Sequence, residues 1–483
     1  MDSTLKNAGL VGLGLIAGVA VSMQFSALAY KSVESSLPLE ELRMLADVHG
    51  LIKSDYVEAV DDKKLLGEAI GGMVGSLDPH SAYLDQKAYA ELREGTEGRF
   101  VGLGIEISPS SNGAILIVAP IEDAPAWRAG IKPGDLITRI DDLSVQGIGI
   151  DDAVKKMRGA ARTSVTLTIM RKDVREPLRI VVAREEIAHK SVKGKIVEPG
   201  YGWLRVSQFQ EPTVNDMATR LAALYKQEPH LKGLVLDLRD DPGGLLQGAI
   251  GVAAAFLPKG AEIVSTNGRL AGSKQHFYGQ PEFYSLRGDS DALARLPAVF
   301  KSVPLVVLVN TGSASASEIV AGALQDTGRA AIIGSRTFGK GSVQTIRPLS
   351  NDSAVKLTTA RYYTPAGRSI QATGIVPDFP VDEHADGDGI NGLRTREADL
   401  ARHLSNDLER DGKGASERRD DVEDDMRAAA MERKRPRLDY GSADDFQLRQ
   451  ALKHLKGLPL QLSRQVGTVA PGLAHAGARA PAR

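Results

Sequence analysis

Cysteine is absent from the 483 residues of the chain. That absence removes thiolate nucleophiles, cysteine-based zinc sites and disulfides in one step. It permits an oxidising compartment without requiring one. A surplus of charge is also missing: 60 Lys and Arg stand against 61 Asp and Glu, a net charge of −1. With no basic excess to neutralise phosphates, the chain is not expected to bind nucleic acid. No Gly-x-Ser-x-Gly elbow is present, which argues against a histidine-based triad of the α/β-hydrolase kind. The acidic stretch HADGDGINGL has no calcium-loop spacing, and no internal repeat is visible. A cysteine-based zinc site and a calcium loop are therefore not expected, and the chemistry read below needs neither metal nor cofactor. Hydrophobic residues at 42% and charged residues at 25% are ordinary for a globular protein, and the length suffices for two or three domains.

What is present begins with an uncharged stretch. Asn7 to Tyr30 carries no charged side chain and is bracketed by Lys6 and Lys31. Its centre, Ala8 to Val21, is short and Gly-rich, and Ala27-Leu28-Ala29 offers a small-x-small cleavage pattern. This reads as an export signal, with an uncleaved membrane anchor as the alternative. Either way the bulk of the protein is expected outside the cytoplasm, in the periplasm or otherwise exported. Leu42, Leu45, Val48 and Ile52 recur at helical spacing, and a second helix is expected near Lys63 to Ser76. The turn LDPHSAYLD follows, where His80 reads as structural rather than as a catalytic base. From Arg99 to about Arg184 the pattern turns to strands, FVGLGIEIS and AILIVAPI, with a short helix at Ile150 to Met157 and the closing strands SVTLTIMR and PLRIVVARE. From Gly200 onward strands and helices alternate in an α/β pattern. Arg287-Gly288-Asp289 is an adhesion tripeptide by letter, best ascribed to chance. Beyond about Val381 the chain becomes mixed-charge and poor in strand formers. Asp444 to Leu455 reads as one amphipathic helix, and the Ala/Pro/Gly-rich end reads as disordered.

The stretch that organises the rest is Val306 to Gln344. An apolar run, Leu305 to Val309, reads as a buried strand. Asn310, Thr311 and Gly312 break it, and Glu318 to Leu324 reads as a buried helix. Ser315 thus stands where a strand hands over to a helix start, beside free backbone N–H groups. Such groups suit the negative charge that an attacked carbonyl develops. Lys340 lies between Gly339 and Gly341, after Phe338, an odd setting for a solvated charge. Ser315 as nucleophile needs a base, and a lysine serves only when neutral. From a reference value near 10.4, working near pH 7 takes a depression of roughly 3 units, about 4 kcal/mol, which burial in an apolar loop supplies.

The block GSASASEIVAGALQD followed by TFGKGSVQ resembles the active-site signature of the carboxy-terminal processing peptidases, or tail-specific proteases. In that family the lysine follows the serine by 25 residues. Lys340 stands 25 residues after Ser315, which selects Ser315 over Ser313 and Ser317. The resemblance implies that Gln344 orients the lysine amine and that Asp326 is a supporting acid. Asp240-Asp241-Pro242-Gly243-Gly244 resembles the family's Asn-Pro-Gly-Gly turn, with Asp241 where Asn usually stands. It implies an oxyanion hole built from Ala316 N–H and the N–H of Gly243 or Gly244, the choice between the glycines being open. Residues 98–186 resemble a PDZ module, with Val101, Gly102, Leu103, Gly104 and Ile105 as its carboxylate-binding loop. The N-terminal helices resemble the family's arm, which often dimerises.

The expected architecture is therefore α+β and multidomain: a signal or anchor at 1–30, a helical region at 31–97, a PDZ β-module at 98–186 beside a mixed α/β protease core at 187–383, and a charged, partly disordered tail at 384–483. The implied function is an exported serine endopeptidase with a Ser/Lys dyad that acts near apolar C-terminal tails. Its implied partners are proteins or peptides with a free C-terminus, and a homodimer or higher oligomer. A PDZ-type binding protein on an inactive protease scaffold is the main alternative. A hydratase of the crotonase type is a more distant one.

Overall fold

A computed structural model describes residues 38–110, 113–121, 123–172, 174–286, 290–385, 387, 394–408 and 439–463. The expected export segment, the tripeptide at 287–289 and much of the expected tail lie outside these described residues. The chain divides into two units, 1–69 and 70–483. In the first, helix α1 (Leu39–Asp55) buries none of its residues, and Leu42, Leu45 and Val48 line it exposed. Helix α2 (Asp62–Gly75) begins there.

In the second unit, helix α3 (Gln86–Glu97), capped by the Asp85 side chain on Ala88 N–H, leads into a two-stranded ribbon. Arg99–Gly102 pairs antiparallel with Glu185–Ala188, so one ribbon carries the chain into and out of a small β-domain. That domain is an antiparallel sheet in the order Ile105–Pro109, Ile115–Pro120, Leu136–Ile140, Ser164–Met170, Leu178–Ala183. Alternation does the work: Val165, Leu167 and Ile169 point inward and are buried, while the residues between them are not. Helix α4 (Ile150–Met157) closes the core through Ala153 and Met157.

The larger part of this unit is a six-stranded sheet. Its strands are β1 (Val192–Glu198), β2 (Tyr201–Val206), β3 (Gly233–Asp237), β4 (Leu305–Val309), β5 (Ala331–Gly334) and β6 (Phe379–Pro380), neighbours in that order and parallel from β2 onward. Strands β3 and β4 are buried at every position, as the centre of a parallel sheet covered on both faces requires. Helices α5 (Thr213–Gln227), α6 (Leu246–Phe256) and α7 (Ala316–Asp326) cover one face. The other face is covered by α8 (Phe446–Leu455), through Phe446, Leu448, Ala451 and Leu452. Two stretches of the region expected as a tail, 394–408 and 439–463, thus pack back on the fold. A second, antiparallel sheet sets Ala82–Leu84, Ala354–Tyr363, Glu262–Asn267 and Gln275–Tyr278 side by side, with Ser342–Pro348 also paired to Ala354–Tyr363.

Candidate active site

Ser315 occupies the first position before α7, with φ 57° and ψ −112°. A non-glycine residue held there stores roughly 1–3 kcal/mol of strain, so its surroundings must fix it. Ser313 Oγ accepts from Asn310 N–H (3.0 Å) and donates to the Leu238 carbonyl (2.8 Å). Ser317 Oγ donates to the Asp241 carbonyl (2.8 Å), which also accepts from Ala314 N–H (2.9 Å). Both flanking serines are fully buried. Their hydroxyls build the turn, and Ser315 is the partly exposed one of the three.

A buried carboxylate ties this turn to the lysine loop. Glu318, with no exposed surface, accepts at Oε2 from Ser315 N–H (2.8 Å) and Lys340 N–H (2.9 Å). At Oε1 it accepts from Gly339 N–H (2.7 Å) and the Thr337 hydroxyl. Ser315 N and Lys340 N are thus at most about 5.7 Å apart, the sum of the two bonds to one oxygen. Burial pushes the Glu318 carboxyl up to about 7, against four donors that favour its charged form. Phe338 N–H donates to the Ser313 carbonyl (3.0 Å). The buried Tyr362 hydroxyl donates to the Lys340 carbonyl and also meets the Ser315 side chain. Burial lowers the Lys340 amine below the ordinary lysine range, helped by Lys356, while Glu397, Glu318 and Asp78 pull the other way. Among the described residues its Nζ donates no hydrogen bond. The loop therefore holds a lysine whose amine is lowered by burial, on a backbone tied to the serine turn through one Glu318 oxygen.

The facing turn is built from Asp241, Pro242, Gly243 and Gly244. Gly243 has φ 98° and Gly244 φ 143°, conformations that L side chains rarely adopt. A Cβ on Gly243 would lie 2.8 Å from Ser315 Cβ and 2.9 Å from Ala316 N, and one on Gly244 would lie 2.0 Å from the Phe209 carbonyl oxygen. Only glycines admit this approach. Gly243 N–H is occupied by Asp241 Oδ1 (2.9 Å). Among the described residues neither Gly244 N–H nor Ala316 N–H has an acceptor. These two are the donors left for an oxyanion, which favours Gly244 in the choice the sequence left open.

Other sequence-derived candidates are distributed unevenly. Gln344, on the strand after Lys340, donates from Nε2 to Ser342 Oγ (3.0 Å) and Thr358 Oγ1 (3.3 Å), and among the described residues it makes no hydrogen bond with the Lys340 amine. Thr358 in turn donates to Asp78 (3.0 Å). Asp326 is at the opposite end of α7, where it pairs with Arg368 and accepts from Ala366 N–H (2.9 Å). Eleven residues of helix at 1.5 Å each put it about 16 Å from Ser315, and the carboxylate that touches the serine turn and the lysine loop is Glu318. In the β-domain, Val101 and Gly102 belong to the ribbon. Leu103, Gly104 (φ 76°) and Ile105 form the turn itself, braced by Ala126 N–H on the Leu103 carbonyl and Ile121 N–H on the Gly104 carbonyl. Ile105–Pro109 is an edge strand of its sheet.

Sequence reasoning passed over three neighbours of the site. Glu318 was legible as a Ser-x-x-Glu capping box. Tyr362 and Glu397 had no local signal. Glu397 is fully buried, meets His80 Nε2 (2.7 Å) and Gln371 Nε2 (2.8 Å), and donates its N–H to the Phe338 carbonyl (3.1 Å). His80 is thereby a structural partner of Glu397. Among the described residues no group of acidic or histidine side chains is arranged to hold a metal ion.

Comparison with known proteins gives three matches to family models: peptidase family S41 at residues 200–381, a PDZ domain at 116–171, and the activating protease CtpB N-terminal domain at 16–88. A carboxy-terminal-processing protease of Bartonella bacilliformis is 42% identical over 451 residues, covering 92% of this chain and 95% of that protein. A probable CtpA-like serine protease of Staphylococcus aureus is 36% identical over 379 residues, 77% of this chain and 71% of that one. Among solved structures, the photosystem II D1 C-terminal processing protease is 28% identical, with a TM-score of 0.39, covering 74% of this chain and 92% of that chain.

Proposed function

The chain belongs to the carboxy-terminal-processing proteases of peptidase family S41, serine peptidases that here carry a PDZ domain, and from that premise we propose how it works. Ser315 Oγ attacks the scissile carbonyl carbon while its proton passes to neutral Lys340. The oxyanion forms against Gly244 N–H and Ala316 N–H. As the tetrahedral intermediate collapses, Lys340 gives the proton to the leaving amine. Water then hydrolyses the acyl-enzyme by the same exchange. The observation that carries this reading is the shared Glu318 oxygen, which fixes the serine turn and the lysine loop to one point. Gln344 acts through the Ser342–Thr358–Asp78 chain that shapes the strand beside Lys340, and Asp326 takes no part. The substrate is a protein or peptide with a free, apolar C-terminus. Its carboxylate is held by the Leu103–Gly104–Ile105 turn, and its last residues add a strand to the open edge of Ile105–Pro109.

Export is part of the proposal and rests on the uncharged stretch at 7–30. Among the described residues no helix is long and apolar enough to cross a membrane. A second copy of the chain is the proposed cover for the exposed Leu42, Leu45 and Val48 of α1. The decisive test compares Ser315→Ala and Lys340→Ala with the parent enzyme on a peptide with a free apolar tail. Each substitution should lower kcat by about 10³-fold or more with circular dichroism unchanged. Turnover within tenfold of the parent in either variant would remove the dyad.

A further inference from the structure

The oxyanion turn contains an acid that the proposed mechanism leaves unused. Asp241 has no exposed surface. Its backbone carbonyl receives Ala314 N–H and the Ser317 hydroxyl from the nucleophile turn, and its side-chain Oδ1 receives Gly243 N–H. The second carboxyl oxygen, Oδ2, is buried without a hydrogen-bond partner. A buried carboxylate normally gathers donors on both oxygens. Glu318, the residue after Ser317 on α7, has four. Asp241 has one.

We propose that Asp241 is a positioning residue that works as a neutral carboxylic acid, and that its ionisation, not any change in Lys340, ends acyl transfer on the alkaline side. The proposal rests on the reading of Ser315 and Lys340 given above. As a neutral acid, Asp241 uses its carbonyl-type oxygen to engage Gly243 N–H. That bond sets the turn so that the next N–H, of Gly244, is left for the substrate oxyanion. As a carboxylate, it would hold a full negative charge on Gly243 N–H, the residue next to the Gly244 N–H where negative charge must develop. Among the described residues Arg205, on β2, is the one cation that acts on it, but this guanidinium is committed to Asp237 (3.4 Å) and lies over the Tyr440 ring at 4.5 Å. Asp237, on β3, adds a like charge. Asp240 beside it is paired with Arg394. The facing side of α7 offers only the Ser317 hydroxyl, already spent on the carbonyl. In keeping with this geometry, burial raises the Asp241 carboxyl well above the ordinary range, and Gly243 N–H, the Ser317 hydroxyl and Arg205 do not offset it.

The sign follows directly. Lys340 must be neutral, so activity climbs as pH rises through its lowered value. Asp241 must be protonated, so activity falls as pH rises through its raised value. Asp241→Asn keeps an acceptor for Gly243 N–H and cannot ionise. The rate of Ser315 modification by a fluorophosphonate probe should pass through a maximum in the parent enzyme and fall tenfold per pH unit beyond it. In Asp241→Asn the falling limb should vanish into a plateau. A falling limb at the same pH in Asp241→Asn overturns the proposal, as does a plateau in the parent. Infrared spectra supply a readout independent of turnover. In the Ser315→Ala chain, a protonated-carboxyl carbonyl band should persist above the values of Glu318 and Glu383, both held at about 7. It should be lost in Ser315→Ala/Asp241→Asn. A spectrum without that band overturns the proposal even if the dyad stands, whereas activity surviving in Ser315→Ala removes the dyad and leaves the band to decide the state of Asp241.

Discussion

Two acids within one site answer burial differently, and the difference lies in their donors. Glu318 and Asp241 are both without exposed surface, yet Glu318 receives two donors on each oxygen and Asp241 one donor in all. Glu318→Gln is therefore a severe change despite its shape. An amide has one acceptor oxygen, so its NH₂ must face either the Ser315 and Lys340 N–H groups or the Thr337 hydroxyl and the Gly339 N–H. At least one buried N–H then loses its acceptor, and two do if the NH₂ faces Ser315 and Lys340, at roughly 1–3 kcal/mol each. The expected outcome is a fall in stability by denaturant titration together with a kcat reduced about 10²-fold and little change in KM. Asp326→Asn, which touches only Arg368 and Ala366, should leave kcat within about twofold. Equal losses in the two variants would reverse the roles assigned here. Ser315 and Lys340, the proposed dyad, stand out in the sequence because a fixed separation carries them. Asp326 was misjudged because distance along a helix, not proximity in sequence, decides contact. Glu318 was overlooked because it opened a run read as apolar, although the same residue completes a capping box with Ser315. Tyr362 and Glu397 come from segments 47 and 82 residues beyond Ser315, and nothing local announces them.

Among the elements, α8 is the one whose presence the sequence disclosed and whose importance it did not. Its amphipathic pattern was readable, but its docking site is two hundred residues away. Strands β3 and β4 held the missing signal: runs buried at every position need cover on both faces, and α5, α6 and α7 supply only one. The helix is pinned at its start. Asp445 caps Leu448 N–H (3.0 Å), accepts from Gly441 N–H (2.9 Å) and binds both terminal nitrogens of Arg239 at 2.9 and 2.6 Å. Arg239 is buried, held from the other side by Asp237 (2.6 Å) and stacked 4.2 Å from the Tyr440 ring centre. Asp445→Ala removes a cap and leaves a buried guanidinium half-paired, a loss of about 3–5 kcal/mol. Leu452→Ala, at the far end of the same helix, should cost about 2–5 kcal/mol through packing alone. Guanidinium titrations of both variants test this. If Asp445→Ala proves neutral while Leu452→Ala does not, the ion pair contributes nothing and α8 is held by its apolar face.

At the level of the whole molecule, the β-domain at 98–186 keeps its own core. Ile117, Ile137, Leu167 and Ile169 are fully buried in a cluster separate from those on the two faces of the central sheet. Among the described residues, what joins the domain to the rest includes the four-residue ribbon and an exposed ion pair between Arg158 and Glu94 (2.9 Å). An exposed pair contributes about 0–1 kcal/mol, far less than the core it would have to couple. The two bodies should therefore unfold in separate steps, and one set of packing defects should not spread to the other. Ile137→Ala opens a cavity in the β-domain at a cost of about 2–5 kcal/mol, which lowers the melting point of a domain this size by roughly 10 °C or more. Calorimetry should resolve two transitions, with only one displaced in Ile137→Ala. Probe labelling of Ser315 should persist between the two, because every residue assigned to the serine turn and the lysine loop lies in the other body. A single transition that moves as a whole, with labelling lost alongside it, would mean that the ribbon transmits the full stability of one body to the other, and the proposed peptide-binding edge could then no longer be treated as a module separate from the proposed catalytic site.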